Sequence, residues 1–170
     1  MSRRQSDSFA NHPPLRALTV PLVSTLLGSA TSLLPVIATA PLLPPFGLMI
    51  FLGWRVLRPE MWAAWIALPL GLADDLLSGH FLGTSMALWT VALLVLDWID
   101  NVFVWRDYWM EWLIASGGII LITVASWALS QPPSSHARLL IIVPQLIGAI
   151  LCFPAILRLA AALDSWRLRQ

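Results

Sequence analysis

Residues 71–83 read Gly71-Leu-Ala-Asp-Asp-Leu-Leu-Ser-Gly-His-Phe-Leu-Gly83 (GLADDLLSGHFLG), two adjacent acids among glycines in a very apolar chain. Of 170 residues, 58% are apolar and 11% charged, against roughly 45–50% and roughly 25% in soluble domains. Mean hydropathy is +0.78. The acids therefore lie in a sequence suited to a bilayer, where an ionisable residue is a functional candidate by default.

Six apolar segments surround this stretch: Leu15–Ala38, Thr39–Leu57, Met61–Ser78, Leu82–Trp98, Trp109–Leu129 and Leu139–Leu163. Each approaches the roughly 20 residues that cross a bilayer as a helix. The second is the weakest, being short and interrupted by Pro41, Pro44 and Pro45, so a half-span or kinked helix stays open there. The expected fold is an all-α integral membrane protein, six transmembrane helices in a compact bundle. Residues 1–14 form a cytoplasmic N-terminal segment, 15–163 the transmembrane domain and 164–170 a cytoplasmic tail.

Orientation follows from the arginines, the chain's only basic residues apart from three histidines. With both termini inside, Arg3, Arg4, Arg16, Arg55, Arg58, Arg106, Arg158, Arg167 and Arg169 lie at or near the cytoplasmic face. Arg138 alone lies outside. Trp54, Trp62, Trp98, Trp105, Trp109, Trp112, Trp127 and Trp166 fall near segment ends, as interfacial aromatics do. Ala38-Thr39-Ala40 imitates a signal-peptidase site, but the preceding apolar stretch from Ala17 to Ile37 exceeds the roughly 7–15 residues of a secretory signal. A retained first span is expected. Net charge is only +1 and the basic residues are scattered, which argues against nucleic-acid binding. The single Cys152 has no disulfide partner, and its expected role is packing.

Asp75 lies about 16 residues past Pro59, roughly 24 Å along the third segment and toward its outer end. Asp74 and Asp75 are about 100° apart on a helix, so only one can face the protein, and Asp75 is the expected buried member. Asp74 is left for water or for Ser78. Gly71, Asp75, Gly79 and Gly83 recur at every fourth position. If the helix persists, they make a small-residue stripe for close helix approach; alternatively, the last two glycines form a tight turn.

Asp97 and Asp100 share a face near the inner end of the fourth segment, with Asp107 and Glu111 following. Arg55, Arg58 and Arg106 are their candidate partners in a structural ion-pair network. An aspartyl dyad of Asp75 and Asp97 fails, because an axial offset on the order of 15 Å replaces the roughly 3 Å a shared proton needs. Ser78, His80 and Asp75 make a poor hydrolase set, and His80 reads as a turn residue. His12, His80 and His136 are dispersed, so no metal site, cofactor site or catalytic residue is expected.

The stretch from Arg58 to Leu88, RPEMWAAWIALPLGLADDLLSGHFLGTSMAL, resembles the bacterial rod shape-determining protein MreD family. The family's signature is Gly-x-x-x-Asp-Leu-Leu-x-Gly-x-x-Leu-Gly, matched in register by Gly71, Asp75, Leu76, Leu77, Gly79, Leu82 and Gly83. His80 and Phe81 stand where many members have other residues, often a proline. The resemblance implies a non-enzymatic scaffold of the cell-wall elongation machinery in the bacterial inner membrane. It implies as partners an MreC-like bitopic scaffold, MreB, RodA and a transpeptidase, and a fold similar to energy-coupling-factor transporter S components. The signature would be an interaction element in which Asp75 receives a partner's transmembrane helix. The alternative is a small-molecule-binding or transport subunit with Asp75 facing an outward cavity. A lipid-modifying enzyme would need polar residues gathered at one face, where the sequence offers mainly scattered arginines.

Overall fold

The computed structural model describes residues 15–33, 43–79, 81–102, 108–130 and 139–168. They form six α-helices: α1 (Leu15–Ala30), α2 (Phe46–Leu57), α3 (Ala64–Ser78), α4 (Thr84–Val102), α5 (Tyr108–Ser130) and α6 (Val143–Leu168). Short 3-10 turns cover Thr31–Leu33, Pro59–Met61 and Leu139–Ile142, and no strand occurs among the described residues. The all-helical class expected from the sequence is what forms. Residues Arg3, Arg4, His12, Ala38-Thr39-Ala40, Pro41, His80, Trp105, Arg106, Asp107, Gln131 to Arg138 and Arg169 lie outside the described residues.

Three stretches are long and apolar enough to cross a membrane: Thr84–Val102, Trp109–Ser130 and Leu140–Arg167. The first three helices are shorter. At about 1.5 Å per residue, α1 (16 residues), α2 (12) and α3 (15) extend for about 24, 18 and 22 Å. The second apolar segment is expected to start at Thr39, whereas α2 begins at Phe46, immediately after Pro44 and Pro45. Proline lacks the N–H an interior turn needs but suits the entry to a helix, so the pair fixes where α2 can begin. Its other end is set by Pro59: the Arg58 N–H closes the last turn on Trp54 O at 2.9 Å, and the chain turns there.

Ion pairs join the C-terminal parts of α2, α4 and α6. A hydroxyl contact of 3.0 Å between Ser32 and Ser78 joins the C-terminal ends of the first and third helical segments. Successive helices thus run in alternating directions, giving the bundle an arginine end and an opposite turn end where α3 passes into α4.

The shortest helix is the centre. Along α2, Gly47, Leu48, Met49, Phe51, Leu52, Gly53, Trp54 and Arg55 are all buried. Phe51 stacks on Trp89 of α4 at 4.6 Å between centroids and meets the edge of Trp62 at 5.0 Å. Trp54 donates its indole N–H to Ser24 Oγ of α1 at 2.9 Å.

This placement corrects part of the interfacial-aromatic expectation. Trp54 is a core residue because α2 is wrapped by its neighbours, and Trp62, between α2 and α3, is one because it packs against Phe51 of α2, whereas Trp98, Trp109 and Trp166 remain exposed. Cys152 also departs from expectation: it is exposed on α6.

Candidate functional site

The α3–α4 corner is built from the glycines and acids of the opening stretch. Gly79 ends α3 in the left-handed region at φ 68° and ψ 22°, and Gly83 takes φ 96°. Nothing lies within 4 Å of a Cβ added at either, so backbone conformation rather than space calls for glycine. The stripe of small residues therefore stops being helical after Ser78, and its last two members are turn residues. Gly71 differs. A Cβ there would lie 2.5 Å from Met86 Cα and 2.7 Å from Ser85 O, so α3 and α4 approach backbone to backbone.

Asp75, 1% exposed, is the buried acid, and it points at the start of α4. Its Oδ2 accepts the Gly83 N–H at 2.8 Å and the Met86 N–H at 3.4 Å; its Oδ1 accepts the Ser85 N–H at 2.8 Å. Phe81 O takes the Thr84 N–H at 3.1 Å, and Gly83 O takes the Ala87 N–H at 2.9 Å. Every donor in the first turn of α4 has a partner, and the carboxylate also meets the positive end of the helix macrodipole. Asp75 is thus a cap supplied by the preceding helix. Both oxygens are occupied within the chain, and the side chain faces neither lipid nor an open cavity.

The other signature residues divide by exposure. Leu77 is half-buried, while Leu76 and Leu82, together with the non-signature Phe81, form the exposed outside of the corner. Substituting Gly71 by Ala is expected to cost about 1–3 kcal/mol by pushing α3 from α4. Gly117→Ala in α5, where nothing lies within 4 Å of the added Cβ, should stabilise by about 0.5–1 kcal/mol. Denaturation midpoints of the reconstituted protein would check both.

At the arginine end, Arg55 is 4% exposed, and its Nη2 donates to Asp97 Oδ1 and to Asp100 Oδ2, the latter at 2.7 Å. This realises the expected pairing. A separate group forms around Asp164, which receives Arg58 Nη2 at 2.9 Å and Arg167 Nη2 at 2.6 Å. Hydrogen bonding to Asp164, then its charge, holds the Arg58 guanidinium above its ordinary pKa. Asp75 serves the first turn of α4 and Asp97 its C-terminal part, so the two carboxylates have separate tasks at opposite ends of one helix.

A feature not anticipated from the sequence lies at the turn end. A half-open crevice of about 240 Å³ runs between the N-terminal parts of α2, α4 and α6 and the C-terminal parts of α3 and α5. Asp74 lines it, with Ser85, Trp89, Thr123, Ser126, Trp127, Ser130 and Gln145. An Asp74 carboxylate oxygen lies 3.1 Å from where a Gly47 Cβ would be, beside the first turn of α2. The crevice was legible only as the spacing of Thr123, Ser126 and Ser130, three hydroxyls on one face of an apolar helix. Among the described residues, no three His, Cys, Asp or Glu side chains group as a metal site. Comparisons with family models, curated proteins and solved structures give no match for this chain.

Proposed function

We propose that this chain is a multi-pass bacterial inner-membrane scaffold of the MreD type, serving the cell-wall elongation machinery in rod shape determination. In this reading all six helices cross or enter the membrane, both termini are cytoplasmic, and the arginine end is the cytoplasmic end. The partners are an MreC-like bitopic scaffold and, through it, MreB, RodA and a transpeptidase. The observation that carries the reading is the α3–α4 corner. Gly71, Asp75, Gly79 and Gly83, which carry the resemblance, each meet a separate geometric requirement of that single element. A corner held this firmly presents Leu76, Phe81 and Leu82 in fixed positions, as an apolar surface for a partner's transmembrane helix requires. Asp75 then acts on the partner indirectly, by shaping the corner.

The test is depletion of the protein in a rod-shaped native host, with cell shape and nutrient uptake recorded. Rounding of the cells without loss of uptake is the expected outcome, and unchanged shape would overturn the reading. A Phe81→Ala, Leu82→Ala double variant alters only exposed side chains. It should express normally yet recover less of the bitopic scaffold on co-purification, roughly tenfold less if the contact is worth about 1.4 kcal/mol.

The alternative of a small-molecule-binding or transport subunit gains one specific observation, the crevice. The acid on that crevice is Asp74 rather than Asp75.

A further inference from the structure

We propose that the crevice at the turn end binds one neutral, hydroxyl-rich ring, a hexopyranoside, whether as a free glycoside or as the headgroup of a glycolipid. This holds independently of the scaffold reading, since it rests on a different part of the bundle from the exposed face of the corner.

Four observations carry the inference. The hydroxyl oxygens of Thr123 and Ser130 are shut off from solvent and have no hydrogen-bond partner among the described residues, although both line the crevice. In a low-dielectric interior an unmet hydroxyl is costly, so two on one helix face mark a place where an external partner, met by a rotamer change that turns each hydroxyl into the crevice, completes the bonding. Thr123, Ser126 and Ser130 follow one another at steps of three and four, a ladder roughly 10 Å long, about the span of one pyranose ring with a hydrogen bond at each end. Gln145 adds an amide, able both to donate and to accept.

The second observation is charge. Asp74 brings a carboxylate to the crevice, but the N-terminal parts of α2, α4 and α6 meet there too, and their helix macrodipoles each offset part of its charge. A crevice so balanced favours a neutral polar group over an ammonium ion. Third, the half-buried Trp127 brings an indole to the same crevice as the hydroxyl ladder, and Leu48, Pro45 and Ile122 add apolar lining. Indoles cover the apolar C–H face of a sugar while the polar groups take its rim. Fourth, about 240 Å³ falls below the roughly 300–1,000 Å³ of pockets for drug-sized ligands, so the crevice holds one ring and leaves whatever the ring carries outside it.

The full chain is reconstituted in phosphatidylcholine nanodiscs, free of glycoside detergent. Three probes are titrated: methyl glucopyranoside, monoglucosyl diacylglycerol and tetramethylammonium. Retention is read by native mass spectrometry for the lipid, and binding by calorimetry for the soluble probes.

Binding of both sugar probes assigns the site to the ring itself, and binding of the glycolipid alone assigns it to a lipid headgroup; either supports the proposal. The Thr123→Val, Ser130→Ala double variant should weaken binding roughly tenfold or more, and Thr123→Ser should retain it. Helical content and denaturation midpoint verify that the variants fold. No sugar binding, binding unchanged in the double variant, or binding of tetramethylammonium in place of the sugars would overturn the proposal.

Discussion

Replacing Asp75 by Ala is expected to unfold the α3–α4 corner at a cost of about 3–5 kcal/mol. Two charge-assisted hydrogen bonds of 2.8 Å would be lost, and each such bond is worth about 1.5–3 kcal/mol. The Gly83 and Ser85 N–H groups would be left beside the space vacated by the side chain, where no other described carboxylate reaches them. Asp75→Asn keeps one carbonyl oxygen in place but loses the charge, so its expected cost is smaller, about 1–3 kcal/mol. Equilibrium denaturation of the reconstituted protein should rank wild type above Asn above Ala. Equal midpoints for all three would show that the cap is dispensable. The same ranking in protease susceptibility at the turn would place the damage at the start of α4 rather than in the whole bundle.

The second large effect is expected at the opposite end. Arg55→Met removes a buried cation that holds two carboxylates of α4 and should cost about 3 kcal/mol. Asp97 is 43% and Asp100 29% exposed, which keeps the loss toward the lower end for a broken buried pair. Adding Asp97→Asn and Asp100→Asn to Arg55→Met should recover much of it, because the unpaired charges then disappear together. A triple variant no more stable than Arg55→Met alone would mean that packing by the arginine stem, rather than charge, dominates. Arg58→Met offers a comparison: its side chain is 35% exposed and its loss should cost less than that of Arg55.

The sequence carried the helical class, the weakness of the second apolar segment and the pairing of Asp97 and Asp100 with an arginine. These follow from composition, proline placement and helical spacing, all of which are local. It also carried the choice of Asp75 over Asp74 as the buried acid. The employment of Asp75 was less legible. A carboxylate eight residues before Gly83 becomes its cap only once the chain reverses, and the reversal depends on the positive φ of Gly79 and Gly83. Every fourth position reads as a stripe on a helix and as a turn in a hairpin, and spacing does not separate the two.

Trp54 and Trp62 were misplaced for a similar reason. Nearness to a segment end marks an interfacial residue only in a helix with a lipid-facing side, and α2, which carries Trp54 and packs against Trp62, is enclosed. For Asp74 the sequence offers water or Ser78 as partners, and the crevice it lines is hidden there because the α5 and α6 residues that share it are distant in sequence.

The shortness and enclosure of α2 bear on how the chain is made. Twelve residues, one of them Arg55, give a segment too short to cross a bilayer alone, so its place at the centre of the bundle depends on its neighbours. Its carboxylate partners follow 42 and 45 residues later. At synthesis rates of about 5–20 residues per second, Arg55 is without them for about 2–9 seconds. The middle of the finished bundle thus waits for what encloses it: α4 brings the carboxylates of Arg55, and α6 follows later with Asp164, 106 residues after Arg58.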